Sequence, residues 1–240
     1  MFLFLKLILA HLIADFILQF EELYQLKVRS YLGQAFHAMI QGLVSLILLY
    51  PYLNTLQIWL FVAGLVLVHL AQDLIKYSAT EKLPANTFVY FMADQFCHIL
   101  VIGTVFLLPI SHEVRGFPTS PLLDMFYRVN AWTIDAIFFI MLTFAGSYIL
   151  NAFTRSYLKD RSPLYLITSM EVAHAIFERS LIGWIMISSV SAPWMLFLLP
   201  CVGVLRLPFK PLRDLMAFLL SLSYGIWISL LFQRILYVLL

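Results

Sequence analysis

Eight stretches of this chain, at about 2–20, 31–52, 55–77, 87–110, 131–153, 164–190, 193–206 and 213–238, carry few charges and are rich in Leu, Ile, Phe and Val. About 20 apolar residues suffice for a helix to cross the hydrocarbon core of a bilayer. In lipid, moreover, every backbone polar group must be paired without help from water. The pattern therefore predicts an all-α, polytopic transmembrane helix bundle of about eight spans, or seven if the short 193–206 segment is re-entrant. Composition agrees: apolar residues make up 62% and charged residues 12% of the 240 positions, against roughly 25% charged in a soluble domain. The expected organisation is one integrated membrane domain, with a four-helix unit at 1–111, a loop at 112–130 and a second helical unit at 131–240.

Charge placement bears on topology. Ten Lys and Arg residues, from Lys27 to Arg213, fall in loops after spans one, three, five and seven, whereas the intervening loops hold Arg115 and Arg128. Positive residues concentrate on the cytoplasmic side, so both termini are expected on the non-cytoplasmic side. The formal charge of +2 and its scatter speak against a nucleic-acid partner. Cys97 and Cys201 lie in apolar runs and are expected to be buried thiols. The N-terminal run carries His11 and Asp15 and lacks a small-residue cleavage site, so it reads as a retained span.

Within these apolar runs a polar pattern repeats. The stretch "HLIADFIL" at residue 11 corresponds to "HLAQDLIK" at residue 69, and "GQAFH", ending at His37, corresponds to "DQFCH", ending at His98. Spans one and two thus resemble spans three and four, a parallel repeat about an axis along the membrane normal. His11 and Asp15, His69 and Asp73, and Asp94 and His98 are i, i+4 pairs that share a helix face. At ~1.5 Å per residue, the histidines of these pairs lie roughly 12–15 Å from the cytoplasmic ends of their spans and the aspartates roughly 6–9 Å. His37 aligns with His98 through the repeat.

An aspartate at mid-helix in a bilayer costs on the order of 2.5–3.5 kcal/mol, so three of them require compensation. Imidazole nitrogens and carboxylate oxygens around one cavity are a competent set for a divalent metal, and zinc suits the mixture best. The candidate ligands are His11, Asp15, His37, His69, Asp73, Asp94 and His98. The competing reading is that His–Asp pairs, with Gln19, Gln34, Gln72 and Gln95, only hold helices together. Lys76 reads as an interfacial base that reaches Asp73 only secondarily. A second cluster, "EVAHAIFER", places Glu171, His174, Glu178 and Arg179 at helical spacing and offers residues that could complete the site. His112 and Asp124 are expected in a solvated loop, and Tyr24, Tyr31, Trp132 and Trp194 as interfacial anchors.

The set H-L-x-x-D-F-x-x-Q, a His in span two, H-x-x-x-D-x-x-K and D-Q-x-x-H resembles a bacterial family of uncharacterised multi-spanning inner-membrane proteins, known as a domain of unknown function, over about residues 8 to 105. The resemblance implies a bacterial inner (cytoplasmic) membrane location. More distantly, the His/Asp arrangement is similar to membrane-bound metal-dependent hydrolases. Three functions stay open. In a hydrolase of a lipid or lipid-linked substrate, metal-bound water would be activated by Asp94 or Asp15 as general base. In a transporter or channel the same groups would bind a cation or relay protons. In an assembly subunit they would only join helices. No nucleophilic Ser motif, phosphate-binding Gly loop or haem attachment signal is present.

Overall fold

The computed structural model of the chain describes residues 1–82, 87–117, 120–157, 170–204 and 211–239. Among them every regular element is helical: α1 Phe2–Leu12, α2 Glu21–Arg29, α3 Tyr31–Leu48, α4 Leu56–Lys82, α5 Thr87–Gly103, α6 Pro121–Arg128, α7 Asn130–Ile140, α8 Gly146–Tyr157, α9 Met170–Ser188, α10 Leu199–Val204 and α11 Pro211–Leu239. They form two compact units, Met1–Ile137 with Ala152–Ser162, and Phe138–Asn151 with Pro163–Leu240.

Among the described residues, five helices are long and apolar enough to cross a membrane: Tyr31–Leu48, Leu56–Ala79, Phe88–Leu107, Asn130–Thr154 and Met216–Ile235. A sixth is added if Phe2–Ile17 and Glu22–Arg29, bent by 92° at their junction, form one span. With that sixth the count among the described residues still falls two short of eight, and residues 164–169, the start of the expected 164–190 span, lie outside them. Helix α9 carries Glu171, Glu178 and Arg179 within 19 residues, and 193–206 is represented by a short apolar helix, Pro193–Gly203. Helices α3, α4 and α5 point large apolar side chains outward, including Leu43, Ile47, Leu60, Leu67 and Leu100, while His37, His69, Asp73 and His98 are buried. Apolar outside and polar inside is the order that lipid surroundings favour. It also corrects the reading of Cys97 and Cys201, which are exposed: in a helix facing lipid, an apolar run does not imply burial.

In the first unit, α1 packs on α3 and α5, α3 on α4, and α4 on α5. An apolar core of Leu3, Leu7, Leu49, Ile58, Val62 and Ile102 fills the half containing the start of α1, which leaves the other half to the polar residues. Two local features then position the site. The chain beyond Leu12 continues as a π-turn, Ile13–Ile17, a one-residue widening often found at functional sites; Asp15 sits in its middle. Helix α2, in a segment expected to be loop, doubles back against α3. Ser30 caps α3 by accepting from Gly33 N at 3.0 Å, and its hydroxyl donates to Leu26 O at the end of α2. A Cβ at Gly33 would lie 2.2 Å from Leu26 O, so only glycine allows this close return. The 112–130 segment, also expected as a loop, contains α6, capped by Ser120 and started by Pro121.

Candidate metal centre

Every His and Asp of the repeated motifs is buried in the first unit. Asp15 lies at the centre of the cluster. Its Oδ1 is 3.2 Å from His37 Nε2, 3.7 Å from His69 Nε2 and 3.8 Å from His11 Nδ1. Asp73 Oδ2 lies 3.5 Å from His69 Nε2 and 3.9 Å from His37 Nε2. The imidazoles pack against one another, with ring centroids 4.3 Å apart for His69 and His98, 4.9 Å for His11 and His98, and 5.2 Å for His37 and His69. Asp15 Oδ1, Asp73 Oδ2, His11 Nδ1, His37 Nε2 and His69 Nε2 are all buried, and none makes a well-directed hydrogen bond.

Hydrogen bonding assigns two of the tautomers. Gln95 Nε2 donates to Asp15 Oδ2 at 3.4 Å and Asp94 Oδ2 at 3.3 Å, which turns its Oε1 toward His11 Nε2, 3.2 Å away. An amide oxygen only accepts, so His11 Nε2 carries the proton and, in the neutral ring, Nδ1 carries the lone pair. That lone pair faces Asp15 Oδ1, an acceptor facing an acceptor. His98 Nδ1 donates to Asp94 O at 2.7 Å, so neutral His98 presents its lone pair at Nε2. Gln95, read from the sequence only as helix glue, therefore sets the tautomer of a site histidine; its place in the D-Q-x-x-H motif was the available signal.

Two lysines join the cluster. Lys27, expected in a loop, is buried on α2 with Nζ 2.9 Å from Asp73 Oδ2. Lys76 Nζ lies 2.7 Å from Asp94 Oδ2 and 3.2 Å from Asp73 Oδ1, so it is a full partner of both carboxylates and not chiefly an interfacial base. Three carboxylates against two ammonium groups leave one negative charge, and it falls on Asp15, which no lysine contacts among the described residues. An uncompensated buried charge costs several kcal/mol.

Two triads bring ligand atoms within 4.8 Å of one another and could hold a metal: His11, Asp15 and His69; and His37, His69 and Asp73. Both use His69, whose Nε2 faces both Asp15 and Asp73. One lone pair serves one ion, so these are alternative positions for a single metal. Tetrahedral zinc, with bonds of about 2.0–2.1 Å, separates its ligand atoms by about 3.3 Å. The 3.7 and 3.8 Å separations from Asp15 Oδ1 would close to that by roughly half an ångström of movement. Asp94 and His98 belong to neither triad; Asp94 is held by Lys76 and Gln95.

The residues of the second cluster lie in the second unit. Arg179 is buried and donates from Nε to Leu142 O at 2.8 Å and from Nη2 to Thr143 O at 2.7 Å and to Ser147 Oγ. Leu142 and Thr143 belong to a π-turn, Met141–Ala145, and Thr143 O also accepts from Ser147 Oγ at 3.1 Å. Glu178 is buried and His174 partly so, while the side chain of Glu171 lies outside the described residues. Outside the spans, His112 is exposed as expected, whereas Asp124 is only partly so and accepts from Phe117 N and Arg128 Nε. Tyr31, Trp132 and Trp194 are exposed, and Tyr24 is half-buried.

Residues 3–116 match the model of the family described as "Protein of unknown function (DUF3307)". No curated protein and no solved structure matches the chain. The matched stretch contains all seven His and Asp residues of the cluster together with Lys27, Lys76 and Gln95.

Proposed function

We propose that the first unit is an intramembrane divalent-metal site, with zinc as the resident ion, held by His11, Asp15 and His69. One observation carries this reading: the lone pair of His11 Nδ1 and the unneutralised Asp15 carboxylate face each other at 3.8 Å with His37 Nε2 and His69 Nε2 beside them. A cation between these atoms removes both the acceptor–acceptor contact and the surplus charge. Asp15 is preferred over Asp73 as the ligand carboxylate because Lys27 already holds Asp73 Oδ2, and its ammonium would repel a dication there. His37, within 3.2 Å of Asp15 Oδ1, stands next to the ion as a partner of that carboxylate.

The chemistry proposed is hydrolysis of a lipid or lipid-linked substrate by water activated on the metal. Supporting it, the protein's outward apolar faces suit lipid surroundings, and the three residues of the preferred triad form the kind of incomplete ligand set that leaves zinc one open position. Within this reading Asp94 orients His98 rather than the ion, since its side chain is committed to Lys76. The eight-span topology with both termini outside, the parallel repeat and the inner-membrane location belong to the same proposal. The test is metal analysis of the full-length protein purified without chelators, beside Asp15→Asn. About one zinc per chain in the parent and loss in the variant are expected. Metal-free parent protein, as stable as Asp15→Asn, would refute the reading. Metal that is bound but lost on each turnover would point to cation transport instead.

A further inference from the structure

A small cavity adjoins the histidine layer, bounded by His11, His69 and His98, by Gln41 and Gln72, and by an apolar wall that includes Leu65. Its volume, about 10 Å³ of space open to the centre of a water-sized sphere, is that of roughly one water molecule. A water enclosed in protein needs two to four polar partners. Gln41 Oε1, Gln72 Oε1 and His98 Nε2 are buried without hydrogen-bond partners, and all three belong to residues of the cavity wall. The assigned tautomer makes His98 Nε2 an acceptor. Two of the three residues of the preferred metal triad, His11 and His69, also line the cavity, whereas Asp15 and the second triad's Asp73 do not.

We infer that this cavity is the position of an exchangeable water ligand on the metal held by His11, Asp15 and His69. The protein ligands would occupy one side of the ion and the water the other, with its two hydrogens donated to two of the three unpaired acceptors, Gln41 Oε1, Gln72 Oε1 and His98 Nε2. The inference rests on the metal reading above and deepens it: a purely structural ion is closed by four protein ligands, while a catalytic one keeps a solvent position. It also explains why two glutamines stand in the cavity wall beside Leu65, Val101 and Ile102. Their amides hold the water without adding charge beside a dication.

The test uses the full-length protein in detergent, loaded with cobalt(II) and compared with the zinc-loaded form as the diamagnetic control. Excess water-proton relaxation reports a water that exchanges on the paramagnetic ion. The parent is expected to show that excess. Leu65→Phe, which fills the cavity, should bind cobalt at the same stoichiometry with relaxation falling to the zinc level. Gln41→Leu, which removes one partner of the water at nearly constant volume, should retain cobalt and show a reduced excess, and it keeps the test decisive if Leu65→Phe does not fold. Relaxation equal to the parent's in the variants places the water elsewhere and overturns the inference, as does a cobalt-loaded parent with no excess. A parent that takes up neither cobalt nor zinc overturns the metal reading itself, which separates the two failures.

Discussion

Lys27 and Asp73, 46 positions apart in the chain, form an ion pair of 2.9 Å in which both groups are almost wholly buried. The lysine comes from α2, which turns by 92° from the first helix to bring it there. Removing one partner of a buried pair leaves an uncompensated charge and typically costs about 3–5 kcal/mol. Lys27→Met is therefore expected to lower the thermal stability of the metal-free protein by that order. Added zinc should raise the stability of this variant more than that of the parent, since Asp73 is then free to meet a cation. Thermal unfolding with and without zinc checks both; equal zinc responses would contradict the competition between Lys27 and the metal.

The two carboxylates differ in consequence. Asp15→Asn is expected to reduce zinc affinity well beyond 100-fold, because it removes a proposed ligand and the surplus charge together. Asp73→Asn should cost about 10–100-fold, the range for a group that supports ligands without binding the ion. Competition against a chelator of known affinity measures both. The reverse order would move the metal to the triad of His37, His69 and Asp73.

Gln95→Leu tests the tautomer of His11. Without the amide oxygen 3.2 Å from Nε2, the imidazole proton can shift to Nδ1, where it hydrogen-bonds Asp15 and competes with the ion. A loss of about 10–100-fold in zinc affinity is expected, with the helical content unchanged by circular dichroism. An unchanged affinity would show that His11 needs no such support.

In the second unit, Arg179→Lys is expected to destabilise the protein by several kcal/mol while leaving its zinc content intact. A lysine cannot reproduce the fork by which Arg179 reaches Leu142 O and Thr143 O together, so both carbonyls would lose the guanidinium, Thr143 O keeping only the Ser147 hydroxyl as a side-chain donor. Denaturation midpoints read alongside metal analysis check this; loss of zinc in the variant would tie Arg179 to the metal.

Outside the spans, Tyr52 donates to Glu113 O at 2.8 Å and Tyr127 to Leu48 O at 2.7 Å. Burial raises both phenols above their ordinary value of 10.0. A raised folded value means that the stability they add is fully present below about pH 10 and is lost as the pH rises through the folded values. Amide hydrogen exchange around Arg115, whose N–H donates to Tyr52, should therefore speed up at alkaline pH beyond its intrinsic increase. Tyr52→Phe should abolish that extra step.

The sequence by itself determined the helical class, five to six of its eight expected spans and the polar residues that need partners, because lipid and backbone hydrogen bonding act on local runs of residues. His11 with Asp15 and His69 with Asp73 were legible as pairs since helical spacing places each on one face, and His37 was legible through the repeat that aligns it with His98. Tertiary structure decided which atoms meet. Only the π-turn at Ile13–Ile17 sets the direction of Asp15, and only the return of α2 across Gly33 turns Lys27 from a loop charge into the partner of Asp73. Neither follows from hydropathy, which cannot register a one-residue widening or a close backbone approach. The same limit applied to Arg179, whose carbonyl acceptors Leu142 O and Thr143 O lie in a second π-turn, and to Cys97, whose apolar neighbours gave no sign of whether it faces protein or lipid. Burial in such a chain is settled by which face of each helix its neighbours cover, and that is a property of packing.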